Sequence, residues 1–399
     1  MSGSPDSTGG ARTVQFLPTR RGFVRGLGTT LILPLAARLS AQSAEPVATY
    51  KNPLGIAIGD PYVLRAPDGQ YYIYGSDDLK GGPNTAFPAF TSKNLVEWTS
   101  IGHVLEHNPE DSWSVGAFWA PEVYHVKGKF YMFYSAQWRH NPTNELENFR
   151  VGVAVADKPT GPFRDVRNEP VFDPGYPIID ADVLFDDDGR MYLYYSRCCY
   201  KHPVESELAT MAREKGWYKE IEESWIYGVE LKPDFSGVIG EPVVVLRPPE
   251  KLSDPNSAWE DLSVTLHEAN RRWTEGPSSL KKYGKYFLMY SADSVAGNNY
   301  SLGYATAKHP LGPFEKAANN PVLRKNTDRG GSVSCTAHNC TTMSPDGSEM
   351  FCLFGGRVPK TGRERVLFLT RMEVQKDGTM VVYPPDVVTP QPIPSGSTL

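Results

Sequence analysis

The chain has 399 residues, with 12% aromatics, 36 Gly, 34 Pro and a formal net charge of −5. That composition excludes a disordered, coiled-coil or collagen-like chain and describes many short aromatic strands broken by Gly/Pro turns. The acidic balance offers no footprint for nucleic acid, and 5 Cys are too few for a disulfide scaffold.

In chain order, the first element is an export signal. Thr19-Arg20-Arg21-Gly22-Phe23-Val24-Arg25 precedes an apolar stretch from Leu27 to Ala37, followed by the small residues Ser40, Ala41, Ser43 and Ala44. The stretch is too short to span a bilayer, and no other run reaches the ~18–20 apolar residues that spanning needs. Paired arginines before such a stretch resemble a twin-arginine signal. Residues 1–43 are therefore expected to be removed, leaving 44–399 as a periplasmic or secreted domain without membrane contact. The removed segment holds five Arg and one Asp, which takes the formal charge from −5 to −9.

One pattern then returns five times: a polar turn with Gly, an aromatic strand and a small residue at its end. The copies centre on Tyr72, Tyr131, Tyr192, Phe287 and Phe351, at spacings of 59, 61, 95 and 64 residues. A second strand signal recurs too. Val151–Ala156 leads to Pro159-Thr160-Gly161-Pro162-Phe163, and Leu302–Ala307 leads to Pro310-Leu311-Gly312-Pro313-Phe314. A unit of about 60 residues holds about four strands of 5–6 residues. Five such sheets set radially predict an all-β, five-bladed β-propeller forming one domain. The long third interval predicts an insertion at 198–262, with helix over Glu205–Lys215 and loop over Asp254–Leu266.

Twelve residues before each strand centre stand Asp60, Trp119, Asp180, Glu275 and Asn339, with His338 one step further back. The first strand of a blade lines the channel, so equivalent positions converge there. Singly, Asp60-Pro61 and Glu275-Gly276-Pro277 read as turns, and Asp180 is one of several acids with Asp182, Asp186, Asp187 and Asp188. Together, carboxylates 95 to 215 positions apart are gathered by the repeat alone. Clustered like charges raise one another's pKa and cost stability, and a glycosidase is one protein that needs them.

These motifs resemble glycoside hydrolase family 43: Gly59-Asp60-Pro61-Tyr62-Val63, Trp119-Ala120-Pro121-Glu122-Val123, Ile179-Asp180-Ala181-Asp182, Thr274-Glu275-Gly276-Pro277 and His338-Asn339. They stand in family order over about 45–390. Ala181 departs from the Pro usual there. The resemblance implies an inverting hydrolase of arabinose- or xylose-containing glycans, of α-L-arabinofuranosidase, β-xylosidase or arabinanase type. It implies Asp60 as general base, Glu275 as general acid and Asp180 as the residue that orients the acid and tunes its pKa. Trp119 and Phe118 are either a sugar-stacking wall or core aromatics between blades. Arg357 resembles a substrate-contacting arginine, with an ordinary surface arginine as the alternative. His338 is either a ligand of a calcium ion at the channel centre or a hydrogen-bonded structural histidine.

No cofactor is required by this reading, and the partner is an oligo- or polysaccharide met by a monomer. Two other functions stay open: a non-catalytic carbohydrate-binding propeller, and a retaining five-bladed hydrolase of β-fructosidase type. Cys340 and Cys352 flank the Pro345-Asp346-Gly347 turn as candidate cross-strand neighbours, with a disulfide left open. The vicinal pair Cys198-Cys199 lacks the further ligands that zinc would need.

Overall fold

The structure is a computed structural model that describes residues 48–77, 87–142, 144, 147–362 and 364–398. The export signal expected over 1–43 lies outside the described residues. Among the described residues no helix is long and apolar enough to cross a membrane.

Five four-stranded antiparallel sheets follow one another as blades of a β-propeller. Blade I starts with strand Gly59–Arg65, blade II with Ser114–Val126, blade III with Ile178–Phe185, blade IV with Thr274–Lys282 and blade V with Ser334–Met343. The five aromatic repeats are the second strands: Tyr71–Ser76, Lys129–Trp138, Met191–Arg197, Lys285–Ala292 and Met350–Arg357. Their richness in large side chains follows from their place. Side chains alternate along a strand, and a second strand is covered on both faces by neighbouring blades. Tyr72 and Tyr74 pack toward blade II with Phe118, Phe130 and Tyr134. Tyr71 and Ile73 pack toward blade V with Phe351, Leu353 and Leu367. Three more apolar clusters fill the II–III, III–IV and IV–V interfaces.

The long third interval is not one insertion. Residues 198–262 contain the third and fourth strands of blade III itself, Trp225–Leu231 and Val238–Leu246. The added chain falls on either side of them. The first part carries a helix, Glu207–Glu214, capped by Ser206 Oγ accepting from the Ala209 N–H. The second part, expected as loop, forms two short helices, Ser257–Glu260 and Leu262–Thr265. Both parts meet in a two-stranded parallel ladder, Glu222–Glu223 against Arg271–Arg272. Strand signals hid inside an interval that the repeat spacing marked only as too long.

Cys340 and Cys352 are near neighbours but not partners. Cys340 stands opposite Leu353, and Cys352 opposite Thr341. That one-residue offset turns their side chains to opposite faces of the sheet, into the V–I and IV–V interfaces. All five cysteines are buried free thiols.

Candidate active site

Each first strand carries a β-bulge near its start, where the register with the second strand slips. The residue at each bulge has positive φ: Asp60 44°, Ala120 45°, Asp180 58°, Gly276 57° and His338 53°. A bulge bends the strand and re-aims a side chain. Here it turns residues of five blades toward one end of the channel.

The bulges also correct the sequence register. Asp60 and Asp180 are equivalent, but Glu275 lies one residue before its bulge, opposite Ser291. Its equivalents are Gly59, Trp119, Ile179 and Ala337. The slip arises in the hairpins. Blades II and IV turn through two residues, Lys127-Gly128 and Tyr283-Gly284. Blades I and III close a longer turn, with Ala66 N–H to Gln70 O and Asp186 N–H to Arg190 O. Counting back a fixed number of residues mixes the two turn lengths.

The small residue ending each second strand has a defined task. Ser76, Ser135, Ser196 and Ser291 accept, through Oγ, the N–H groups of Ala120, Asp180, Gly276 and His338 at 2.9, 2.9, 3.1 and 2.8 Å. Each serine thus ties its blade to the bulge of the next. Two of them also donate to a carboxylate: Ser76 to Asp60 Oδ2 at 2.6 Å and Ser196 to Asp180 Oδ2 at 3.3 Å. Blade V has Gly355 instead. A Cβ there would come within 2.9 Å of Ile58 O and 3.3 Å of Arg365 Cβ, so the close approach of blade I requires glycine.

A pocket of about 470 Å³ opens at this end of the channel, lined by Asp60, Asp180, Glu275, His338, Trp119 and Arg357 among others. Asp60 is held by Arg365, with Nη1 to Oδ1 at 2.5 Å and Nη2 to Oδ2 at 3.0 Å. His338 Nδ1 lies 3.1 Å from Asp60 Oδ1. Burial pushes the Asp60 carboxyl up. The Arg365 charge, His338 and the hydrogen bonds from Arg365 and Ser76 outweigh it and hold the group well below the usual carboxylate range.

Glu275 has the opposite setting. Burial, then the Asp180 charge, push its carboxyl well above the usual range, against a hydrogen bond from Tyr300 Oη to Oε1 at 3.0 Å. Asp180 is raised too, first by burial, with the Asp60 charge adding and His338 opposing. Asp180 Oδ2 accepts the Gly276 N–H at 3.1 Å, so it grips the backbone immediately after Glu275. Two carboxyls in one pocket are thus pushed in opposite directions, one toward the anion and one toward the neutral acid.

Trp119 lines the pocket at 37% exposure and rests on Phe149, with ring centroids 4.1 Å apart at 26°. Phe118 does not share that wall. It is buried against Phe87 and Tyr134 in the I–II core, because successive strand residues face opposite ways. Arg357 lines the pocket while its Nη1 donates to Val295 O at 2.7 Å and Gly297 O at 3.1 Å. It thereby holds the turn whose Ser294, Val295 and Ala296 close one side. Around His338 the side-chain donors do not fit calcium. The imidazole faces Asp60, whose oxygens serve Arg365, whereas calcium takes six to eight oxygens. Among the described residues no group of three or more His, Cys, Asp or Glu is placed to hold a metal ion.

Sequence reasoning missed Arg365, Tyr300, Glu147 and Tyr200, all pocket residues. None lies on a first strand, so no repeat register points to them. The Arg-Glu-Arg run at 363–365 before an apolar strand is the one local signal for Arg365.

The sequence profile of glycosyl hydrolases family 43 matches residues 50–380. A β-D-galactofuranosidase of Aspergillus niger is 28% identical over 371 residues, 88% of this chain and 91% of its own. A xylosidase/arabinosidase of Bacteroides ovatus is 30% identical over 275 residues, 65% of this chain and 77% of its own. Among solved structures, a thermostable family-43 glycoside hydrolase superposes with a TM-score of 0.73 at 35% identity, covering 88% of this chain and all of that one. The five-bladed propeller is thus a glycoside hydrolase. The chain belongs to glycoside hydrolase family 43.

Proposed function

We propose that this is an exported inverting glycosidase of arabinose- or xylose-containing glycans. Asp60 acts as general base, Glu275 as general acid, and Asp180 positions the acid. The observation that carries the reading is the opposed setting of Asp60, held by Arg365 and Ser76, and Glu275, buried beside Asp180 with one hydroxyl partner, in one pocket. An inverting hydrolase needs that pair: an anion to take a proton from water, and a neutral acid to give one to the departing oxygen. Water attacks the anomeric carbon as Asp60 accepts its proton, and the leaving oxygen takes the Glu275 proton. Asp180 keeps the acid protonated by its charge and aims it through the Gly276 N–H. Trp119 offers a face to the C–H side of a sugar ring, and no step is routed through a metal. The relative named a xylosidase/arabinosidase supports the sugar class, and the arginine-led segment at 19–44 supports export.

The test is hydrolysis of nitrophenyl α-L-arabinofuranoside, nitrophenyl β-D-xyloside and linear arabinan. Glu275→Gln and Asp60→Asn should each lower kcat by at least about 100-fold, the usual scale of positioned acid–base catalysis. Wild-type rates in either variant would sink the assignment. NMR of the first-released sugar should show the inverted anomer, and retention would favour a β-fructosidase-like mechanism instead.

A further inference from the structure

The pocket contains a fourth carboxyl that the acid–base pair does not use. Glu147 sits on the loop joining the second and third strands of blade II and lines the same cavity as Glu275, Trp273 and Tyr200. The surroundings hold it there. Asn148 Nδ2 donates to Trp138 O at 2.8 Å and His140 O at 3.1 Å, closing the base of the loop. Lys201 Nζ donates to Asn144 O at 2.9 Å, tying the loop to the turn that carries Tyr200. That turn is fixed in its own right. Glu222 Oε1 accepts the Lys201 N–H at 2.9 Å, and Glu222 Oε2 accepts from Arg271 Nε at 2.8 Å. The Arg271 guanidinium lies over the Tyr200 ring, 4.4 Å from its centroid.

The added chain of blade III therefore builds a wall of the pocket. Its charge is arranged in an informative way. Arg271, the cation nearest in effect, is turned to Glu222 and the Tyr200 ring, while Tyr200 and Glu147 line the cavity together. Burial raises the Glu147 carboxyl, and its field adds to the upward push on Glu275. A fourth acid beside three others is costly to keep unless it contacts something. A carboxylate accepts hydrogen bonds and a sugar ring presents hydroxyl donors, so a polyhydroxylated glycone matches this wall.

We infer that Glu147, set beside Tyr200 in this wall, is a specificity-determining residue that reads hydroxyl groups of the bound pentose away from the scissile bond. This rests on the glycosidase reading above. Polar groups in a closed site discriminate strongly, because a sugar lacking the matching hydroxyl leaves the carboxyl without its partner.

The experiment compares Glu147→Ala, Glu147→Gln and Tyr200→Phe with wild type. The substrates are the nitrophenyl pentoside that the wild type cleaves fastest and its monodeoxy analogues. Glu147→Ala should lower kcat/KM on the parent sugar by about 10- to 100-fold, the scale of a charge-assisted hydrogen bond. On the analogue lacking the hydroxyl that Glu147 reads, the same substitution should change kcat/KM by less than about threefold, because the contact is already absent. Tyr200→Phe should show the same selectivity in weaker form. A purely structural role would lower every substrate equally, and that result, or no loss on the parent sugar, overturns the inference. Where the alanine variant fails to fold, Glu147→Gln and Tyr200→Phe carry the same comparison. A wild type inactive on every pentoside overturns the proposed function and this inference together, whereas an active wild type with unselective variants overturns this inference alone.

Discussion

At the scale of single residues, the site works by giving identical functional groups different surroundings. Asp60 meets a guanidinium, an imidazole and a hydroxyl. Glu275 meets one hydroxyl, apolar burial and the Asp180 charge. The pH dependence follows from the two directions. As pH falls through the depressed pKa of Asp60, the proposed base gains a proton, and the acid limb is expected at unusually low pH. As pH rises through the elevated pKa of Glu275, the proposed acid loses its proton, and the alkaline limb is expected above the ordinary glutamate range. The result is a broad bell in kcat/KM. Arg365→Gln keeps hydrogen-bonding donors but removes the charge that holds Asp60 down. The burial that opposes it then dominates, and the acid limb should move up by at least about one pH unit, the scale of losing an opposite charge at contact. Profiles of kcat/KM from pH 3 to 9 read this directly. An unmoved acid limb would mean that Asp60 is not the group titrating there.

At the scale of the element, function resides in a strand start rather than in a loop. A bulge of positive φ sets the aim, and a serine from the preceding blade fixes it. Gly276 is the sharpest case. A Cβ there would meet His338 Nδ1 and Ser291 Oγ, both at 3.1 Å, next to Glu275, the proposed acid. Gly69, at φ 81° in the blade I hairpin, would place a Cβ with nothing within 4 Å and serves as the matched control. Each alanine should cost about 1–2 kcal/mol for the left-handed backbone, seen as a lower Tm. Only Gly276→Ala should also lower kcat, by about tenfold or more, because it displaces the Glu275 carboxyl. Equal kcat losses in both would refute the positioning role. The same strands explain what the sequence disclosed. Asp60, Asp180, Glu275, Trp119 and His338 lie where a repeat can be counted, and the structure brings all five to one pocket. Glu275 is off by one because hairpin length varies, a detail held in two residues of turn. Phe118 was separable in principle, since it alternates with Trp119. Arg365, Tyr300 and Glu147 come from loops between strands that do not repeat, so no periodicity could single them out.

At the scale of the molecule, a propeller must join its last blade to its first, and among the described residues no blade borrows a strand to do so. Each sheet is built from consecutive chain. The five second strands were legible from their aromatic repeats, but the closure was not, because it is made by an irregular segment before the first repeat. Residues 54–58 run along the blade V strand Val366–Val374, with Leu54 N–H to Leu367 O at 2.9 Å, Leu367 N–H to Ile56 O at 2.8 Å and Ile58 N–H to Arg365 O at 3.1 Å. Thr49–Tyr50 pairs with Gln391–Pro392 further out. Closure also reaches the pocket, because the strand that receives this segment begins beside Arg365, the partner of Asp60. Asn52 is the firmest clasp. It is buried, its Nδ2 donates to Leu369 O at 2.8 Å, and its Oδ1 accepts the Leu369 N–H at 3.0 Å. Asn52→Ala removes the partner of the Leu369 N–H, while Tyr50 Oη still donates to Leu369 O at 3.1 Å, a loss of about 1–3 kcal/mol. Thermal unfolding should shift down by several degrees, while kcat/KM at 25 °C stays within about twofold of wild type, because Asn52 lies outside the pocket. A fall in activity as large as that of Arg365→Gln would show that loosening the clasp already moves Arg365. An unchanged Tm would show instead that the apolar V–I interface of Ile58, Tyr71, Phe351 and Leu367 closes the ring alone.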